Sequence, residues 1–450
     1  MPKPRILIGS PIRQTPTILK LFLDSLRGLE QPEHEIDYMF FDDNTDPASS
    51  ELLAQFSRKT GRTRVIREAN PVNEGQQGEG AHQWREATVW KVAAMKDRIL
   101  SMGRTESYTH VFLADSDLLF HPATLSQLLQ ADRDIVCTVY WTSWQPGTLA
   151  MPQVWVHGEY EHDPLMRQLE LSEEDKLLAA ERFFAQLRSP GLYSVGGLGA
   201  CTLISRSAIE RGVNFREIPN LTYWGEDRHF CVRAAALGIG LFVETTYPAY
   251  HIYREEDLAG AAEYRAVPQQ PKQRLTVPAD AHSRGEAMLA YGYERAAMEQ
   301  WLRSWEAREG EPLQQVKVVL ALDAYYGRQG DVGRGRTLLL DALEELRYAE
   351  LYCRLGSKCM DSGNWQEAAS WFRAAVGTPR PEDWEHSSDV SSWTWKPYIQ
   401  LCVCSVQLGE TERALEYNER GLALEPTHPT MLSNRQALLS MLGKQSSTTA

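Results

Sequence analysis

Two aspartates one residue apart, Asp115 and Asp117, close the apolar run Thr109-His110-Val111-Phe112-Leu113-Ala114. In an open α/β sheet, ligands bind in the crevice beyond the carboxyl ends of the strands. An Asp-x-Asp at such an end can hold a divalent cation, and the cation can hold a diphosphate. Acidic residues after a strand also serve as turn and cap residues. The pair gains meaning from three features downstream of it, in order: a glycine-rich segment, a Glu-Asp pair and a lone histidine.

The glycine-rich segment is Val195-Gly196-Gly197-Leu198-Gly199-Ala200, ahead of an apolar strand at Ala200–Ile204. Glycines here let the backbone approach a sugar or a diphosphate closely; the alternative is a plain turn. Next comes Tyr223-Trp224-Gly225-Glu226-Asp227, which opens a helix read as Arg228–Leu237. Carboxylates at a helix N-terminus are stabilised by the dipole and can be simple caps. A carboxylate in a cleft is also a candidate general base. Last is His251, in Tyr250-His251-Ile252 after the strand Leu241–Thr245. One imidazole beside carboxylates suits Mn²⁺ better than Mg²⁺, which prefers oxygen ligands and retained water.

Short runs rich in β-branched and aromatic residues at Arg5–Gly9, Ile36–Phe41, Arg64–Arg67, His110–Ala114 and Ile135–Tyr140 predict strands. Apolar residues at helical spacing in Thr17–Leu26, Glu51–Lys59, Trp84–Met102 and Pro122–Ala131 predict helices, with Pro122 in a first turn. This alternation implies an α/β fold: a mostly parallel sheet with helices on both faces. Gln145–Pro190 breaks the rhythm with a Pro/Gly/His-rich loop and one amphipathic helix, Ser172–Arg188. Ser172 followed by Asp175 resembles a capping box, with Asp in place of Glu. This insertion is read either as a lid or acceptor element, or as a peripheral helix.

Beyond the polar linker Pro268–Pro278 the pattern is all helical. Gly330-Asp331-Val332, Gly363-Asn364-Trp365 and Gly409-Glu410-Thr411 each follow one helix and open another, at spacings of 33 and 46 residues. The excess in the second interval falls in a loop at Pro379–Ser392. The pattern resembles the tetratricopeptide repeat, with its period of about 34 residues, over Pro312–Leu442. Tyr352, Leu355, Gly356, Ala368, Phe372 and Ala375 carry the second copy; Tyr398, Leu401, Ala414 and Pro426 carry the third. Gly335 stands in the first where alanine is usual. The expected domains are 1–267, a linker at 268–283, and a helical domain at 284–445. Trp393-Thr394-Trp395-Lys396 is a candidate peptide contact, or else packs between repeats.

The net charge of −13 disfavours nucleic acid and anionic membranes as partners. The strand at Arg5 comes too soon after the first residue for a signal peptide, and no apolar run is long enough to span a bilayer. The seven cysteines are scattered within apolar stretches and read as buried, reduced thiols, Cys402 and Cys404 among them, so a cytoplasmic location is expected.

In order, Asp-x-Asp, Gly-Gly-x-Gly-Ala, Trp-Gly-Glu-Asp and His resemble the GT-A glycosyltransferases, family 2 in particular, over Arg5–Arg254. The resemblance implies roles residue by residue. Asp115, Asp117 and His251 hold Mn²⁺ or Mg²⁺. Asp227 is the catalytic base, and Glu226 and Trp224 contact the acceptor. Pro11, Asp42, Asp43, Lys91 (or Arg85), Asp115, Asp117, Gly196 and Gly197 surround a nucleotide-sugar donor, a UDP-sugar. The domain order resembles the bacteriocin S-glycosyltransferases and other bacterial family 2 enzymes with repeat tails. It implies a peptide or protein acceptor and repeats that bind it or mediate a homodimer. His121–Trp141 and Tyr250-His251-Ile252 also resemble retaining yeast-type mannosyltransferases, whereas the Glu-Asp pair favours inversion. A repeat scaffold with a degenerate nucleotide-binding domain and a nucleotidyltransferase are the alternatives. The second lacks support in Ser10-Pro11-Ile12-Arg13, which has no glycine.

Overall fold

A computed structural model describes residues 3–29, 33–68, 86–158, 162, 172–222, 225–266 and 280–448. Trp224, Arg85 and most of the expected linker lie outside the described residues. The chain divides into two compact units, Met1–Val277 and Pro278–Ala450.

The first unit is built on eight strands: β1 (Arg5–Ile12), β2 (Glu35–Asp42), β3 (Thr63–Arg67), β4 (His110–Ala114), β5 (Ile135–Thr138), β6 (Leu192–Val195), β7 (Cys201–Ser205) and β8 (Leu241–Glu244). Their order in the sheet is β6-β8-β5-β7-β4-β1-β2-β3. Six share one direction. β7 runs antiparallel to both β4 and β5, and β6 antiparallel to β8. The sheet is therefore mixed, though mostly parallel. β1 and β4 are buried along nearly their whole length, as strands covered on both faces must be. The edge strand β6 was not legible in the sequence; its Leu192-Tyr193-Ser194-Val195 is too short and half-buried to stand out.

The helices of this unit are α1 (Pro16–Gly28), α2 (Pro47–Thr60), α3 (Glu86–Thr105), α4 (Thr124–Gln130), α5 (Glu173–Leu187), α6 (Arg206–Glu210), α7 (Glu226–Ala236) and α8 (Leu258–Ala266). α1 packs with α2, and α3 packs with α6 and α7. α3 lies directly on β1, where a Cβ at Gly9 would collide with Ile99. Among the boundaries that differ from expectation, two have a clear local cause. Pro122 precedes α4, which starts at Thr124 after a turn closed by Thr124 N–H donating to His121 O at 2.9 Å. α7 starts at Glu226, not Arg228, because Gly225 takes φ 99° and turns the chain into the helix. The Ser172–Asp175 capping box at α5 is formed.

The second unit comprises α9 (Ala281–Ala290), α10 (Glu294–Glu306), α11 (Pro312–Arg328), α12 (Val332–Glu345), α13 (Ala349–Asp361), α14 (Trp365–Gly377), α15 (Lys396–Gln407), α16 (Thr411–Leu424) and α17 (Pro429–Thr448). Each packs on the next. α9 begins inside the stretch assigned to the linker. Gly330, Gly363 and Gly409 have φ of 78°, 74° and 77°, the left-handed conformation that ends one helix and lets the next fold back. Gly292 (φ 83°) does the same between α9 and α10, and the residue after each glycine has nearly the same backbone angles. Ala297, five residues after Gly292, is fully buried like Ala368 and Ala414. Gly292-x-x-x-x-Ala297 is thus a further repeat turn, one that its sequence did not reveal.

Gly335 is explained by its neighbour: a Cβ there would collide with Asp323. Asp323 is fully buried and paired with Arg354 (2.5 Å) and Lys358 (2.7 Å). The loop after α14 carries two 3₁₀ turns, Trp384–His386 and Val390–Trp393. Trp393 is only 6% exposed and donates to Ser387 Oγ at 2.9 Å, and Trp395 packs on Ile399, Leu422 and Met431. Trp393 therefore packs within the repeats, and Trp395 is half-buried against them. All seven cysteines are free and buried, and burial raises the thiols of Cys402 and Cys404 to about 11.

Candidate active site

Asp115 and Asp117 leave the carboxyl end of β4. β7 starts opposite, with Cys201 paired to Ala114, and Asp115 N–H donates to Ala200 O at 2.9 Å. The Asp-x-Asp turn and the end of the glycine-rich segment therefore share one sheet edge. Leu118–Leu119 then forms a short antiparallel pair with Tyr250–His251, and Ile252 N–H donates to Asp117 O at 2.9 Å. That pairing brings His251 Nε2 to 3.5 Å from Asp117 Oδ2. On the other side of the ring, Nδ1 lies 2.8 Å from the buried Thr142 hydroxyl. Thr142 holds the ring through Nδ1 and leaves Nε2 on the Asp117 side; in the tautomer with the proton on Nδ1, Nε2 is the nitrogen available to a metal.

The Glu-Asp pair begins α7 and meets Lys96 of α3, a residue that was not among those expected at the site. Lys96 is 2% exposed, and its Nζ donates to Glu226 Oε1 (2.8 Å) and Asp227 Oδ1 (2.9 Å). The signal was present: Val89, Ala93, Lys96, Leu100 and Gly103 are all buried, at helical spacing, so the lysine stands in the apolar stripe of α3. The other Asp227 oxygen, Oδ2, lies 3.0 Å from where a Cβ at Gly199 would sit. The described residues offer Oδ2 no hydrogen-bond donor.

Burial raises the Asp227 carboxyl to about 6; Lys96 opposes that rise and Glu226 adds to it. Burial likewise raises Asp115 to about 7, against Lys96 and with help from Asp117, Asp227 and Glu226. The ammonium of Lys96 is disfavoured by burial, but Asp227, Glu226 and Asp115 outweigh this and hold it charged.

Asp42, Asp43 and Pro11 meet at the carboxyl ends of β1 and β2, where Pro11 is opposite Phe41 and Asp43 N–H donates to Ile12 O at 2.9 Å. Lys91 Nζ lies 2.5 Å from Asp43 Oδ1, so two expected donor residues are joined. Asp42 accepts from Arg67 (2.5 Å), Asn44 (2.7 Å) and Ser50 (3.2 Å). Burial raises the Asp42 carboxyl, but these bonds outweigh it and hold it below its ordinary value. Arg67 was not singled out in the sequence. Gly196 and Gly197 have a packing reason of their own: a Cβ on either would collide with the Val154–Trp155 strand or the residue after it. Among the described residues, no three His, Cys, Asp or Glu side chains already converge as a metal-binding group.

No protein-family model and no curated protein matches the chain. Among solved structures, a crystal structure of MamA is similar over 35% of this chain and 84% of its own, at 17% identity and a TM-score of 0.29. A structure of PilF from Pseudomonas aeruginosa is similar over 36% of this chain and 68% of its own, at 17% identity and a TM-score of 0.29. GalNAc-T7, solved with UDP, GalNAc and Mn²⁺, is similar over 56% of this chain, at 14% identity and a TM-score of 0.37. The chain spans 44% of the length of that protein. These likenesses are distant.

Proposed function

We propose that the chain is a metal-dependent, inverting glycosyltransferase that moves a sugar from a nucleotide-sugar, a UDP-sugar, to a peptide or protein. The observation that carries this reading is the short strand pair that sets His251 beside Asp117 at the edge where Asp115 and Asp227 also lie. Asp115, Asp117, Glu226 and Asp227 put more negative charge here than Lys96 neutralises. A site with surplus carboxylate and one imidazole fits a divalent cation of the Mn²⁺ type. Asp115, Asp117 and His251 would hold it, and it would supply charge compensation for a departing diphosphate.

The chain's own residues do the rest. Lys91 and Asp43, with Asp42 and Pro11, form the pocket for the nucleoside. Asp227 takes the acceptor proton on Oδ2 as the acceptor oxygen or sulfur bonds to the anomeric carbon and the bond to the diphosphate breaks. Glu226 and Trp224 orient the acceptor, and the helical unit supplies a peptide surface or a dimer contact. Among the described residues no helix is long and apolar enough to cross a membrane.

The test is to incubate the protein with Mn²⁺, a panel of nucleotide-sugars and cell extract, and to monitor the products by mass spectrometry. Release of one nucleoside diphosphate with a matching mass gain on a protein or peptide is expected. No turnover of any nucleotide-sugar would end this reading.

A further inference from the structure

We infer that Lys96 is the positioning residue of this site: its ammonium pins Glu226 and one oxygen of Asp227, and so fixes the direction of the second Asp227 oxygen, which lies beside Gly199. This rests on the glycosyl-transfer reading above.

Three observations carry the inference. First, a lysine in the apolar stripe of a helix is costly, and lysine is almost never fully buried unless paired. Lys96 is 2% exposed and spans from α3 to α7 to reach its two carboxylates. Second, the two carboxylates are treated unequally. Glu226 is 10% exposed at its side chain and Asp227 25%, so of the pair held by one ammonium Asp227 is the more open. Third, the ammonium is closely enclosed. The cavity between Lys96, Gly199, Thr202, Phe215, Asp227 and Phe230 measures roughly 10 Å³, at or below the least space a water needs. Lys96 itself is too enclosed to meet substrate, so it acts through Asp227.

The alternative is a plain structural tie between α3 and α7. The two differ in what a variant loses. In the full-length chain, Lys96→Met keeps length and removes charge, and Lys96→Arg keeps charge and changes the donor geometry. The probes are UDP with Mn²⁺, measured by calorimetry, and UDP release from UDP-glucose, UDP-galactose and UDP-N-acetylglucosamine. We expect Lys96→Met to bind UDP within about threefold of the unsubstituted chain and to lose about a hundredfold in kcat, the scale of a 1 Å misplacement. We expect Lys96→Arg to lose about tenfold. If Lys96→Met does not fold, a drop in kcat for Lys96→Arg at unchanged UDP affinity supports positioning. Unchanged kcat in either folded variant, or a loss of UDP affinity that matches the loss of kcat, overturns it.

One readout does not depend on turnover. The Asp227 carboxyl, identified by NMR through its absence in Asp227→Asn, is faced by Lys96, Glu226, Asp115 and Arg228. It is expected to titrate at higher pH in Lys96→Met, and an unmoved titration overturns the inference. Normal turnover by Asp227→Asn would instead sink the base assignment itself.

Discussion

Asp227 has two oxygens in different surroundings, and the role proposed for it rests on that difference. Oδ1 is held by Lys96 at 2.9 Å, and Oδ2 lies over Gly199. Asp227→Asn keeps the shape and removes the basic oxygen. It is expected to abolish transfer, by at least about a hundredfold in kcat, while nucleotide-sugar affinity stays near normal, since a base contributes to the transition state rather than to donor binding. Parallel calorimetry and rate measurements decide this; near-normal turnover would exclude Asp227 as base. Burial raises this carboxyl to about 6, so the proposed base becomes protonated as pH falls through that value. The rate should therefore show an acid limb near pH 6, where an ordinary aspartate would place it near 4. A limb near 4 would mean that the cluster does not govern the base. Asp117→Ala and His251→Ala should each weaken binding of UDP with Mn²⁺ and lower turnover, with the fold intact by circular dichroism. Full turnover in excess chelator would rule out the metal.

The elements explain why some of this was legible and some was not. β4 with Asp115 and Asp117 at its end, and β8 with His251 after it, are strong apolar runs, and their order along the chain was enough to suggest one site. What joins them is a two-residue strand pair, Leu118–Leu119 with Tyr250–His251, and two residues carry no periodicity. Lys96 carried a signal in its place within the apolar stripe of α3, but nothing local in the sequence joins it to the carboxylates of α7, 130 residues away. The glycines read as donor-facing, yet each answers to a different neighbour. Gly197 makes room for Trp155, whereas Gly199 makes room for Asp227. The two alanine variants should separate accordingly. Gly197→Ala is expected to lose about 1–3 kcal/mol of stability from overpacking. Gly199→Ala, with its Cβ 3.0 Å from Oδ2, should fold and bind UDP with Mn²⁺ but lose kcat. Denaturant midpoints and rates on both variants check this. Equal stability losses with equal kcat would remove the distinction.

Each unit of the chain encloses its own core, and the proposed chemistry lies in one of them. Ile8, Phe40, Phe112 and Val243 are buried in the first; Trp301, Val316, Leu355 and Phe372 are buried in the second. Every residue assigned here to donor, metal or base precedes Arg254, whereas the second unit repeats a helix–glycine–helix turn at Gly292, Gly330, Gly363 and Gly409. Stacked repeats of this kind form extended surfaces suited to a peptide or to a second copy. That division predicts the behaviour of a chain ending at Val277. It should melt cooperatively and bind UDP with Mn²⁺ at the affinity of the full chain. It should also lose transfer to the physiological acceptor, self-association, or both. Calorimetry tests the first half; transfer assays and light scattering test the second. A truncated chain that no longer binds UDP would mean that the first unit needs the repeats to fold or to complete its site. One with unchanged transfer and unchanged mass in solution would leave the repeats without either proposed role. Trp393→Ala in the full chain supplies the contrast, because its ring packs on Tyr348 inside the repeats at 5.7 Å between centroids. It should lower the stability of the second unit and leave UDP binding unmoved.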